Sequence, residues 1–236
     1  MMLRRFFAWL RRDMRAAFSL AFLLALGLLA LCAPLIAPYP VTAQDVDNTL
    51  ASPSAAHLLG TDDLGRDVFS RMVHGGAATL YASGLAVGIA LLLGLPVGLL
   101  AGYSGGWVDD GISRFIDALL SFPSIVLAIA VTGALGIGLT NGMIAVGIVF
   151  SPQIARLVRA RALVVRQELY VDAARCFGAS TGRILWRHVL PNTVQPVIVQ
   201  VTLLLAAALL AEASLSFLGL GIQPPQPSWG SMLARA

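Results

Sequence analysis

Few side chains in this sequence are equipped for covalent chemistry, and those few are scattered. The three histidines, His57, His74 and His188, have no second ligand at metal spacing. Cys32 lies in an apolar run and Cys176 in a basic one, and both read as structural thiols rather than as ligands or a disulfide framework. All sixteen cationic side chains are arginine. Without a lysine to reach nucleotide phosphates the chain has no P-loop, so any ATP chemistry must come from another subunit. Glu212 is the one acid near the end of a late apolar segment, a depth at which an ionisable group is paired or faces an aqueous cavity. Two roles stay open for it, a substrate path or gate and a structural hydrogen bond. No catalytic residue and no metal site are assigned.

The elements around these residues follow from composition: 236 residues that are 58% hydrophobic and only 12% charged are far more apolar than a soluble domain. The expected fold class is an all-α integral membrane protein, a multi-pass helical bundle with lipid around it and no nucleic-acid partner. Runs near the ~20 residues that span a bilayer number five. They cover about Ala16–Ala37, Leu80–Leu100, Ile116–Leu135, Gly142–Val158 and Val194–Leu210. The chain accordingly divides into 1–37 (N-terminus and first helix), 38–79 (an external segment) and 80–236 (a core of helices two to five, with a basic loop over 159–193 and an external C-terminal segment).

Arginine asymmetry sets the orientation, because short arginine-rich loops stay in the cytoplasm. Arg4, Arg5, Arg11, Arg12 and Arg15 precede the first span against Asp13, which predicts a cytoplasmic N-terminus. The following segment carries Asp45, Asp47, Asp62, Asp63 and Asp67 against Arg66 and Arg71, as expected outside. Asp109 and Asp110 against Arg114, between spans two and three, point weakly the other way. Seven arginines from Arg156 to Arg187, against Glu168 and Asp172, return the loop before the last span to the inside.

That loop holds "QELYVDAARCF", in which Leu169, Ala173 and Phe177 recur at i+4 as on a short amphipathic helix. Gly178 breaks it, Ser180 or Thr181 can cap a second helix, and Pro191 marks the next expected boundary. Two short helices joined at a glycine make a projecting elbow suited to a groove on a partner. The same pattern also suits a solvated or lipid-surface loop.

Asp172-Ala173-Ala174, Gly178 and Leu190-Pro191 at this spacing resemble the EAA loop of bacterial ABC importer permeases, the signature of their cytoplasmic coupling helix. Asp172 stands where glutamate is usual and His188 where isoleucine is usual. "HLLGTDDLGRDVFSRMVHGG", "FIDALLSFPSIVLAIA" and "EASLSFLGLGIQPPQPSWGSML" resemble the dipeptide, oligopeptide and nickel branch of that family, and together cover nearly the whole chain in order. The resemblance implies a type I importer permease, the C-type half of a heterodimer in a bacterial inner membrane. It implies a sister permease, two cytoplasmic ATPases that bind ATP and Mg, and an external solute-binding protein. No cofactor is expected in this chain.

The residues the resemblance assigns to ATPase coupling are Tyr170, Asp172, Ala173, Ala174, Gly178, Ala179, His188, Leu190 and Pro191. It also marks an external motif at Gly60, Thr61, Asp62, Gly65, Arg66 and Asp67, whose charges satisfy one another or face the binding protein. The expected cargo is a di- or oligopeptide, with a nickel complex or other small solute as the alternative within the family. A membrane scaffold or enzyme is the alternative from another class. Related permeases continue into a sixth helix, which is expected to be absent from this sequence.

Packing and bending also leave marks. Gly84 and Gly88, then Gly94, Gly98 and Gly102, put small residues on helix faces where a neighbour, in this chain or the sister, can approach closely. Pro96 and Pro123 lie in apolar segments and are kink candidates.

Overall fold

A computed structural model describes residues 13–234. Helix α1, Met14–Leu31, is capped by Asp13, whose carboxylate accepts from the Arg15 and Ala16 amides. Cys32 separates it from a single turn, α2, Ala33–Ile36. The next helix, α3, runs Val68–Ser104; α4 is Gly106–Leu120, α5 Ser124–Leu135 and α6 Leu139–Val165. The short α7, Leu169–Cys176, precedes α8, Thr181–Phe217, and α9 is Trp229–Leu233. Among the described residues the only bridge between extended segments joins Thr61 to Asp67.

Four helices are long and apolar enough to cross a membrane, and a bent pair, α4 with α5, makes a fifth candidate. The all-helical multi-pass expectation therefore holds, but the third span is not one helix. Residues 121–123 break it and the two halves meet at 94°. Proline explains the break: Pro123 lacks a donor and disfavours helical backbone at Phe122, and α5 restarts behind it. Pro96, by contrast, sits inside an uninterrupted α3, as do Pro152 in α6 and Pro196 in α8. The second helix also begins earlier than expected, at Val68 rather than near Leu80, because the polar residues after Asp67 continue the helix beyond its apolar stretch.

The described residues form two compact units, one built from residues 13–80 together with 224–234, the other spanning Tyr81–Gln223. In the second unit α6 is the central helix and touches α4, α5 and α8. Its buried face carries Met143, Val146, Ile154, Val158 and Ala162, packed with Ala86 and Ala90 of α3 and with Leu204, Ala208 and Leu215 of α8.

The glycine ladder has its partner inside this chain. A Cβ on Gly98 would meet the Ala155 carbonyl oxygen at 2.5 Å and Val158 Cβ at 2.8 Å, and one on Gly102 would meet Ala162 Cβ at 2.6 Å. Gly147 of α6 lies as tightly against Ala86 and Ile89 of α3. The backbones of α3 and α6 thus touch, as helices in lipid do when small residues line the contact. Gly84 and Gly88 have nothing within 4 Å of a Cβ.

The weak acidic signal between spans two and three also finds its cause. Asp109 begins α4 rather than lying in a loop, and the Arg159 guanidinium of α6 pairs with it, Nη2 donating to Oδ2 at 2.8 Å. Arg156 pairs in turn with Asp117. These acids neutralise arginines in the C-terminal half of α6.

Candidate functional site

The basic elbow is built around α7 and the start of α8. Val171, Ile184 and Val189 are fully buried, which anchors both arms. Gly178 closes α7 in the left-handed region, with φ +76°. Its amide donates to the Arg175 carbonyl at 2.9 Å and the Ala179 amide to the Ala174 carbonyl at 3.0 Å, a Schellman closure. Open space surrounds Gly178, so its requirement is the backbone angle and not room. Ser180 then accepts from the Arg183 amide and caps the second arm.

Pro191 does not end a helix as expected. The second arm continues through Leu190 and Pro191 without a break into the last span, because a wide π-type turn over Leu185–Val189 absorbs the lost proline donor. The ring of His188 lies 6.1 Å from that of Tyr170, bringing the two arms together.

The apolar stripe read from the sequence faces outward. Leu169 is 85% exposed and Phe177 91%, and Trp186 on the second arm is 72% exposed. Asp172 accepts from Arg175 Nη1 at 2.9 Å on the exposed side. Arg175 also donates to the Tyr103 hydroxyl, and its guanidinium lies 5.3 Å from that ring's centre. Hydrogen bonding to Tyr103, more than the nearby Asp172, raises the Arg175 pKa. Arg166 donates to the carbonyls of Gly102 and Tyr103 at the end of α3. Sequence reasoning missed Tyr103 and counted Arg166 only among the loop's basic residues, since neither stands in the coupling motif.

The external motif is a closed charge network. Gly60 and Gly65 both take positive φ, +76° and +70°. Thr61 accepts from the Ala51 amide at 2.8 Å. Asp62 accepts from the amides of Leu64 and Arg66 and from Arg66 Nε at 2.7 Å, while Arg66 is itself buried. Burial raises the Asp62 pKa, but the two amides and the guanidinium outweigh it and hold the carboxyl below its usual range. Asp67 caps α3 by accepting from the Ser70 amide at 2.7 Å and lies 3.0 Å from His57 Nδ1. It too is held low: burial raises its pKa, but Ser70 and then His57 lower it by more. Asp63 remains half exposed. Beside it Leu50, Val68, Met72, Trp229 and Met232 wall a cleft of about 440 Å³.

Glu212 is 1% exposed within α8. Its Oε1 accepts from Ser216 Oγ at 2.8 Å, while the buried Oε2 has no hydrogen-bond partner.

A bundle of apolar helices, an arginine-rich elbow with outward apolar side chains and a charge-closed segment at the start of α3 define a multi-pass membrane protein with a projecting basic elbow. Residues 94–236 match the family of binding-protein-dependent transport system inner membrane components, and residues 2–53 match the N-terminal transmembrane domain of oligopeptide transport permease C. The chain belongs to that family of ABC importer permeases. It is 44% identical over 231 residues to the dipeptide transport system permease protein DppC of Alkalihalophilus pseudofirmus, covering 98% of this chain and 76% of the relative. The glutathione transport system permease protein GsiD of Escherichia coli O157:H7 is 45% identical over 227 residues, covering 96% and 75%. The di/tripeptide permease DppC of Pseudomonas aeruginosa is 43% identical over 240 residues, covering 99% and 79%. The inward-facing MetNI methionine ABC transporter shares the fold, with a TM-score of 0.56 at 20% identity over 67% of this chain and 76% of that one. The chain is thus a multi-pass membrane permease and not an enzyme.

Proposed function

We propose that this chain moves small peptides inward as the C-type half of a heterodimeric permease. The elbow docks on cytoplasmic ATPases, which bind the ATP and Mg, and the segment before α3 receives an external binding protein. The N-terminus then lies in the cytoplasm. Relatives whose names specify dipeptides, di/tripeptides and glutathione support the peptide class. One observation carries the docking role: an elbow with three buried anchors and a closed glycine turn still holds Leu169 and Phe177 out in solvent. A loop solvated for its own sake gains nothing by that exposure. ATP-driven closure of the ATPases moves the elbow, and the helices continuous with it reorient around the solute path. Glu212 takes a place beside that path, its unpaired Oε2 being the one buried side-chain acceptor left open among the described residues.

Replacing Phe177 by alanine tests docking without touching the core. Burying a phenylalanine side chain is worth about 1.5–3 kcal/mol, roughly 10- to 150-fold in affinity. The Phe177→Ala subunit should insert normally and lose its ATPases on dilution in detergent. Undiminished retention would reject the docking role.

A further inference from the structure

The elbow is covalently joined to α6 and α8, yet it also grips a third helix. Tyr103, in the last turn of α3, is held twice. Its backbone carbonyl accepts from Arg166 Nη1 at 3.3 Å, and its hydroxyl and ring meet the Arg175 guanidinium of α7. Asp172 holds the far side of that guanidinium at 2.9 Å. These four residues, with Gln167, line a small polar cleft between the end of α3 and the coupling helix. Just beyond it Gly105 and Gly106 take positive φ, +68° and +57°, turning the chain sharply into α4. A Cβ on Gly105 would strike Arg166 Nη1 at 2.6 Å, so that turn is built around the same arginine.

We infer that Tyr103, clasped by Arg166 and Arg175, is a positioning residue that makes α3 and the α3–α4 turn follow the coupling helix. This rests on the elbow being the ATPase-facing element. Asp172 then has a task inside the chain. Its short carboxylate fixes the angle of Arg175, and the arginine carries displacement of α7 across to a helix with no covalent bond to the elbow. Glycines at 98 and 102 lay α3 backbone to backbone on α6, so a pull at Tyr103 moves α3 and α6 together.

The test uses the importer assembled with its partner subunits in lipid vesicles. Spin labels are placed at Leu100 on α3 and Arg183 on the elbow, with Cys32 and Cys176 replaced by serine. The distance between labels is measured without nucleotide and after trapping with ATP and vanadate. In the parent chain it should stay constant, because the two elements travel together. In Tyr103→Leu and in Arg175→Gln it should change on trapping by about 1–2 Å or more, the scale of helix shifts in switching proteins. ATP turnover should fall about fivefold in each, with KM for ATP and ATPase retention unchanged. The double variant should fall no further than either single one. Tyr103→Phe, which keeps the ring under the guanidinium and removes only the hydroxyl, should lie between. A constant distance in the variants, a changing one in the parent, or additive losses would overturn the inference. Failure of the docking reading itself is recognised separately, by ATPases that remain bound to Phe177→Ala.

Discussion

The same substitution made at two glycines of α3 should have opposite effects. Alanine at Gly84 meets nothing within 4 Å, whereas at Gly98 its Cβ would lie 2.5 Å from the Ala155 carbonyl oxygen and 2.8 Å from Val158 Cβ. Neither contact is with the far end of a flexible side chain, so α3 and α6 must separate to admit the methyl group. Alanine is favoured over glycine in a helix by about 1 kcal/mol, and this gain applies at both positions. It cancels in the comparison and leaves the overpacking cost, about 1–3 kcal/mol, as the difference. In lipid no hydrophobic driving force restores the contact, since acyl chains solvate the parted faces as well as the helices did. The assay is equilibrium unfolding of the isolated subunit in mixed detergent, followed by circular dichroism. Gly84→Ala should be as stable as the parent or more so, and Gly98→Ala less stable than Gly84→Ala by that amount. Equal stability of the two variants would refute the close backbone contact between α3 and α6.

Two further outcomes follow from hydrogen-bonded acids. Asp62 has its pKa lowered in the fold, so its contribution to stability is fully present above its ordinary value of 3.8 and is lost as pH falls through the depressed one. Asp62→Asn should therefore cost about 1.5–3 kcal/mol at neutral pH, and the difference from the parent should vanish only in strong acid. A difference that already disappears between pH 7 and 5 would contradict the network. In α8, Ser216→Ala strips Glu212 of its one hydrogen bond and should cost about 1–3 kcal/mol, while Glu212→Gln keeps an oxygen for Ser216 and should cost less. Thermal unfolding that ranks the two variants in reverse order would refute the hydrogen bond.

Membrane spans, the elbow and its glycine were legible because each leaves a local mark: a long apolar run, a stripe at four-residue spacing, a lone helix breaker. Gly178 was readable as a break, and its positive φ is the physical content of that break. What was not legible depends on partners distant in sequence. Asp109 looked like a loop acid against the orientation rule until Arg159, fifty residues on, was beside it. Pro191 looked like a boundary because the rule for proline is local, whereas the π-type turn before it makes the helix continuous. Pro96 and Pro123 share a residue type and differ in outcome. Pro96 is enclosed in a helix gripped by α6 on either side through Gly94 and Gly98, while Pro123 follows the end of the amphipathic α4. The outward direction of Leu169 and Phe177 was equally invisible, since periodicity defines a stripe but not which way it faces.

The central claim is directional transport driven through the elbow, and sidedness tests it most directly. Sealed vesicles containing the permease pair and its ATPases, oriented by labelling cysteines placed at Thr42 and Arg159, are given binding protein with a labelled dipeptide outside and ATP inside. Dipeptide should accumulate only when the Thr42 side faces the binding protein and the Arg159 side faces ATP. Accumulation with that orientation reversed, or at the same rate with Phe177→Ala as with the parent chain, would contradict it.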